Sequence, residues 1–102
     1  MKILAIDRIS STSPVQPHIP DLLKAEIAKV WELYSTDIFR EIYFRKDRPG
    51  AVLVLECASI EDARTVLETL PLVREKLIEF DLIPLGPFFQ LSVLFEVDDS
   101  KP

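Results

Sequence analysis

The stretch AVLVLECASIEDARTVLETLPL, from Ala51 to Leu72, decides the fold of this chain. Its opening, Ala51 to Cys57, is rich in valine and leucine, which predicts a β-strand that is buried on both faces. Ser59 has the side chain of a helix N-cap, and Asp62 lies three residues later in a capping-box arrangement. The helix that follows ends at Pro71, because proline interrupts helical hydrogen bonding. Its inner stripe is expected to contain Ile60, Ala63, Val66, Leu67 and Leu70.

The residues before this stretch predict a strand, a helix and a second strand. Lys2 to Ile9 is aliphatic and predicts a strand, and the proline-rich segment from Ser10 to Pro20 predicts a long loop. Asp21 to Tyr34 predicts a helix. We expect its apolar stripe to face the core, and the stripe consists of Leu23, Ile27, Val30, Trp31 and Tyr34. The solvated face is expected to hold Lys24, Glu26, Lys29 and Glu32.

The second strand and the end of the chain complete the pattern. Ile38 to Lys46 predicts a strand, and the turn from Asp47 to Gly50 joins it to the third strand as a hairpin. Ile78 to Leu85 predicts a fourth strand, at a sheet edge because it contains Pro84. The apolar tail from Phe88 to Phe95 fits either a fifth strand or a short helix.

The predicted order is therefore β-α-β-β-α-β, an α+β fold of the ferredoxin-like type in which helices cover one face of an antiparallel sheet. We expect a single domain over residues 1–102, since this length suits one domain and not two. Because the third strand is apolar on both sides, we expect the open face of the sheet to pack on the same face of a second chain.

Charge and composition exclude several classes of function. The net charge is −5, and the twelve lysines and arginines are scattered among acidic residues, which argues against nucleic acid or an anionic membrane as a partner. The lone Cys57 excludes an internal disulfide, and no metal-ligand spacing exists. Asp7 and Arg8 interrupt the first apolar run, so we expect neither a signal peptide nor a membrane anchor, and a cytoplasmic location.

The segment from Val52 to Leu72, with its Ser59 cap, acidic first turn, Ala63 and Leu70-Pro71-Leu72 ending, resembles the muconolactone isomerase-like group of the dimeric α+β barrel superfamily. The resemblance covers residues 50–87. It departs at Val73 and Arg74, where that group usually carries an aromatic residue and a further proline. The resemblance implies two ferredoxin-like chains joined sheet to sheet, sometimes in larger rings. It also implies isomerase, small monooxygenase or decarboxylase-like activities, many of them without metal or organic cofactor.

Glu56 is a candidate general base, because it interrupts an otherwise apolar strand and a carboxylate in a dry setting has a raised pKa. Asp7, Glu79 and Asp81 are possible companions if the strand registers agree. The alternative is that Glu56 lies at the strand end, in water. His18, the single histidine, is a second candidate for proton transfer; it precedes the first helix in the proline-rich loop, where a solvated histidine is the alternative.

Glu41, Tyr43 and Arg45 share one parity of the second strand, so we expect them on one side of the sheet, opposite Ile42 and Phe44. Glu41 is a candidate catalytic carboxylate, and Tyr43 and Arg45 are candidates for binding an anionic substrate. The alternative is a charged strand edge with interface ion pairs.

Two functions follow. The first is a cofactor-independent enzyme that isomerises a small anionic metabolite by proton transfer, for which a cavity of a few hundred Å³ must bring at least two of the candidate residues together. The second is a non-catalytic dimeric module that binds a ligand or a protein. A small monooxygenase is a weaker third hypothesis.

Overall fold

The computed structural model describes residues 1–9 and 19–95. The order of elements confirms the predicted β-α-β-β-α-β pattern. Four strands and three α-helices are followed by a 3₁₀ helix: β1 Lys2–Ile9, α1 Ile19–Ser35, β2 Phe39–Phe44, β3 Ala51–Glu56, α2 Ile60–Leu67, α3 Pro71–Arg74, β4 Ile78–Leu85 and the 3₁₀ helix Phe89–Phe95.

The strands form one antiparallel sheet in the order β2-β3-β1-β4. β3 is therefore an inner strand, as its apolar sequence predicts, and β4 is an edge strand that tolerates Pro84. Leu55 of β3 is paired with both Phe39 and Ile3, so these three side chains share the face that the helices cover. They belong to a core of nine buried residues: Ile3, Ala5, Leu33, Phe39, Leu53, Leu55, Ala63, Leu67 and Leu70.

The helix after β3 begins as the sequence predicts, at the Ser59 cap, but it ends at Leu67 and not at the predicted Pro71, because Leu70 is extended. The amide of Asp62 donates to Ser59 Oγ over 3.1 Å, which satisfies one of the free amides of the first turn of α2. Ala63 and Leu67 are buried beneath the helix. Beyond Leu70 the chain continues as the short α3, which begins at Pro71, a position where proline costs no helical hydrogen bond.

The orientation of α1 differs from the expectation. Ile27 and Trp31 of the predicted inner stripe are 61% and 66% exposed, and Leu23 and Tyr34 are exposed as well. Only Val30 of that stripe packs on the core. The row of low exposure is instead Leu22, Glu26, Val30 and Leu33, at spacings of four, four and three residues; Glu26 and Leu33 are buried, and Leu22 and Val30 are half-buried. The placement of Glu26 on the solvated face is therefore wrong, because this second row is the one that faces the sheet.

Two further segments carry exposed apolar side chains. β2 starts at Phe39 and ends at Phe44, shorter than predicted, with an irregularity between Phe39 and Glu41 where the register to β3 shifts. Phe44 is exposed on this edge strand. The tail is a 3₁₀ helix and not a fifth strand, and its residues are exposed throughout, Phe95 at 78%.

No helix within residues 1–9 and 19–95 is long and apolar enough to cross a membrane.

Candidate functional site

A buried carboxylate, Glu26, lies between α1 and α3. Its side chain accepts a hydrogen bond of 3.0 Å from the backbone amide of Leu72. Among residues 1–9 and 19–95, Glu26 is the one charged residue that is buried, with 8% of its surface exposed. Burial raises its pKa above the usual range, the hydrogen bond from Leu72 acts in the opposite direction, and the nearby charge of Asp7 raises the pKa further.

Asp7, in the second half of β1, is hydrogen-bonded to the first residue of β3. Its Oδ2 accepts a hydrogen bond of 2.7 Å from the amide of Ala51. A Cβ atom added to Gly50 would lie 2.6 Å from Asp7 Oδ1, so only glycine leaves room for the carboxylate at this position. Strand alternation from the buried Ile3 and Ala5 places Asp7 on the helix-covered face, the side from which Glu26 approaches.

Arg45, at the end of β2, adds a positive charge beside Asp7. Its guanidinium is paired with Asp47 on the hairpin turn, with Nε 2.8 Å from Oδ1 and a second contact from Nη2 to Oδ2. The hydrogen bond to Asp47 is the main cause that raises the pKa of Arg45, and the charge of Asp7 contributes as well. The same pair lowers the pKa of Asp47 to about 2. We refer to Asp7, Glu26 and Arg45 together as the carboxylate site.

Glu41 and Tyr43 lie on the opposite face of the sheet. They are paired in register with Val54 and Val52 of β3, whereas Ile42 is paired with the buried Leu53. Tyr43 Oη donates a hydrogen bond of 2.7 Å to Glu41 Oε1, which raises the pKa of Tyr43. The expected shared face is therefore confirmed for Glu41 and Tyr43, whereas Arg45, which was expected on the same face, follows the end of β2 and lies near Asp7. The structure does not bring Glu41 and Tyr43 to the carboxylate site, and their catalytic and binding roles remain predictions.

Glu56 ends β3 and forms an ion pair with the α-ammonium group of Met1 over 2.5 Å. This ammonium is the first cause that lowers the pKa of Glu56, followed among the favourable charges by Arg40 and Lys2. The side chain is 38% exposed, so the dry setting and raised pKa expected of it are not found. Its alternative placement, at the strand end near water, matches this geometry. His18 lies outside the residues that the structure describes.

Two cavities are formed by the helices. One, of about 250 Å³, lies between α2, α3 and β4; its lining consists of Arg8, Arg64, Leu67, Glu68, Val73, Glu79, Phe80 and Leu82. The other, a groove of about 520 Å³ between α1 and the α2–α3 segment, is lined by Ala25, Ala28, Lys29, Glu32, Thr69, Pro71 and Arg74. Neither lining includes Glu41, Tyr43, Arg45 or Glu56, so the expected convergence on a cavity is not seen among the described residues of one chain.

The carboxylate site adjoins the smaller cavity without lining it. Glu26 binds the amide of Leu72, the residue before Val73, and Asp7 is paired in register with Phe80. Cys57 is half-buried, and burial raises the pKa of its thiol, which disfavours the reactive thiolate. Within residues 1–9 and 19–95, no group of three or more His, Cys, Asp and Glu side chains is placed to hold a metal ion.

Sequence reasoning missed Glu26, although a signal was present. Glu26 lies in a row with Leu22, Val30 and Leu33, and a carboxylate inside an apolar helical row is the pattern of a buried acid. The stripe that includes Trp31 is larger and more apolar, so the pattern favours that stripe as the core face of α1.

Solved structures provide the comparison that decides the fold. Muconolactone isomerase superimposes with a TM-score of 0.66 at 19% identity, over 86% of this chain and 93% of that chain. This chain has the fold of muconolactone isomerase. The predicted ferredoxin-like fold is confirmed, and the resemblance is confirmed at the level of the fold. A second structure, 5-chloro-2-hydroxyhydroquinone dehydrochlorinase (TftG) from Burkholderia phenoliruptrix AC1100 in complex with 2,5-dihydroxybenzoquinone, superimposes with a TM-score of 0.58 at 16% identity, over 82% of this chain and 93% of that chain.

No family model matches the chain, and no curated protein matches it by sequence.

Proposed function

We propose that this chain is a cofactor-independent enzyme that isomerises a small anionic metabolite by proton transfer, in the manner of muconolactone isomerase. One observation carries the proposal: Glu26 is a buried carboxylate with a raised pKa, and a second carboxylate, Asp7, lies close enough to add to that shift. Buried acids with shifted pKa values are concentrated at functional sites, because proton transfer needs a group whose pKa is near the working pH.

In this proposal Glu26 removes a proton from the carbon beside a carbonyl group and returns it to another carbon of the same molecule. A raised pKa favours this exchange, since the carboxylate binds the proton more firmly once it has accepted it. Asp7 accepts a hydrogen bond from the amide of Ala51, and its negative charge opposes a second negative charge on Glu26. Arg45 supplies positive charge for the oxyanion that develops, in competition with Asp47.

This chain shares its fold with two solved structures, and their names describe an isomerase and a dehydrochlorinase. That likeness supports an enzyme of this general kind. The test uses muconolactone as the first probe, followed by small carboxylates with an acidic carbon–hydrogen bond, and NMR detection of deuterium uptake from D₂O. Glu26→Gln removes the proton-carrying group and keeps an oxygen for the amide of Leu72. We expect it to slow exchange by roughly 10²- to 10⁴-fold, the usual contribution of a general base.

Glu61→Gln is the matched control, because Glu61 is an exposed glutamate on α2 away from the carboxylate site. It should exchange at the rate of the unaltered chain. Glu56→Gln and Glu41→Gln examine the two carboxylates that the sequence suggested. If either of them abolishes exchange while Glu26→Gln does not, the assignment of Glu26 is refuted.

The second candidate function, a non-catalytic dimeric module, is favoured by the exposed apolar side chains of the sheet. Ile83 and Leu85 lie on the open face and are 43% and 40% exposed. We propose that two chains pair through this face, as the resemblance implies. Light scattering at micromolar concentration should then give twice the 11.7 kDa mass of one chain, and Ile83→Glu should reduce it. A mass of one chain for the unaltered protein contradicts the pairing.

A further inference from the structure

The cavity between α2, α3 and β4 has an apolar floor that the proposed proton transfer does not use. Its volume is about 250 Å³, equal to the share of about eight molecules of liquid water, and slightly below the range of about 300–1,000 Å³ for drug-sized ligands. The apolar part of its lining consists of Leu67, Val73, Phe80 and Leu82. A space of this size and character suits the hydrocarbon part of a small metabolite.

The charges around the cavity differ between its two sides. On the strand side, Arg8 is engaged by two carboxylates, Glu79 at 2.6 Å and Asp81 at 3.0 Å. On the helix side, Arg64 of α2 and Glu68, the residue after α2, are exposed, and among the described residues neither forms an ion pair. The helix side therefore offers one positive and one negative group for a ligand.

Arg64 and Glu68 are four residues apart, and Glu68, the C-cap of α2, keeps a helical backbone conformation, which places their Cβ atoms about 5–6 Å from each other on one side of the helix. With the basic residue on the N-terminal side, this is the weaker of the two orientations for a mutual ion pair. Both groups are therefore available to a ligand whose own carboxylate and ammonium lie close together. A plain carboxylate would satisfy Arg64 but would face repulsion from Glu68.

We propose that this cavity binds an apolar α-amino acid, with its carboxylate on Arg64, its ammonium group on Glu68 and its side chain on the apolar floor. This site is distinct from the carboxylate site, although the two share a wall: Phe80 is paired with Asp7, and Val73 follows the residue whose amide binds Glu26. The proposal does not depend on the proposed catalysis.

Isothermal titration with three probes tests it: L-phenylalanine, 3-phenylpropanoate, which lacks the ammonium group, and phenethylamine, which lacks the carboxylate. For the unaltered chain we expect L-phenylalanine to bind at least tenfold more tightly than either analogue. Arg64→Gln should reduce L-phenylalanine affinity to that of phenethylamine, and Glu68→Gln should reduce it to that of 3-phenylpropanoate.

Glu61→Gln on the same helix serves as the control and should bind L-phenylalanine with unchanged affinity, since Glu61 does not line the cavity. Both substitutions that test the site are at exposed positions, and thermal unfolding checks that each variant is folded. The proposal is overturned if L-phenylalanine shows no saturable binding, or if 3-phenylpropanoate binds as tightly as L-phenylalanine. It is also overturned if Arg64→Gln and Glu68→Gln both leave the affinity for L-phenylalanine unchanged.

Discussion

Gly50→Ala should destabilise this protein through one contact inside the carboxylate site. The added methyl carbon would lie 2.6 Å from Asp7 Oδ1, roughly 1 Å closer than the about 3.5 Å at which non-bonded atoms attract best. The other nearest atoms, on the flexible side chains of Arg45 and Arg48, are at an ordinary 3.5 Å. The carboxylate must therefore move, and it gives up the 2.7 Å hydrogen bond from the amide of Ala51.

The size of the effect follows from two contributions. A lost hydrogen bond to a charged group costs about 1.5–3 kcal/mol, and overpacking a well-filled site costs about 1–3 kcal/mol. We expect Gly50→Ala to lower the free energy of unfolding by roughly 2.5–6 kcal/mol, a large share of the about 5–15 kcal/mol that small domains have in total. Urea unfolding followed by circular dichroism measures the change.

Gly86→Ala is the matched control, because no atom lies within 4 Å of the position that its Cβ would take. Both substitutions restrict the unfolded chain equally, so their difference contains the contact with Asp7 and the strain of placing alanine at the Gly50 φ of +159°. In the Asp7→Ala background the methyl group meets no carboxylate, and Gly50→Ala should cost much less. The reasoning is refuted if Gly50→Ala and Gly86→Ala have the same stability, or if Gly50→Ala costs as much in the Asp7→Ala background as in the unaltered chain.

Two further predictions concern α1 and α2. The pKa of Glu26 is raised in the folded state. Its contribution to the stability of the fold is therefore complete below its pKa in the unfolded chain, about 4.5, and is lost as the pH rises through its pKa in the folded chain. The free energy of unfolding of Glu26→Gln, measured in urea relative to that of the unaltered chain, should therefore increase between pH 4 and 8. A relative free energy that decreases with pH contradicts the burial argument. Ser59→Ala removes the acceptor of the Asp62 amide and should cost about 1 kcal/mol, whereas Thr65→Ala, at an exposed position of the same helix, should cost less than about 0.5 kcal/mol.

The second half of the fold could be predicted because its local signals agree with the tertiary structure. The Ser59 cap, the helical stripe through Ala63 and Leu67, and Pro71 at the start of α3 all describe contacts within a few residues. The apolar sequence of β3 also indicated its inner position in the sheet. Such signals are strong because the same residues decide both the local conformation and the packing.

The rotation of α1 could not be predicted, because periodicity reveals an apolar stripe but not the surface that covers it. The helix has two rows, and the row with Trp31 is the more apolar, yet it is the row with Leu33 that packs on the sheet. With the Trp31 row against the sheet, Glu26 is predicted on the solvated face. The grouping of Asp7, Arg45 and Glu26 could not be predicted for a related reason: these residues are far apart in the sequence, and only strand register and helix rotation bring them near one another.

The ion pair between Met1 and Glu56 joins the α-ammonium group of the chain to the last residue of β3. Acylation of that amine, or a residue joined in front of it, replaces the ammonium group by a neutral amide that cannot pair with a carboxylate. Glu56 would then lose the main cause of its lowered pKa and retain only the weaker influence of Arg40 and Lys2. The position at which a fusion partner is attached therefore changes the chemistry of a residue at the far end of β3.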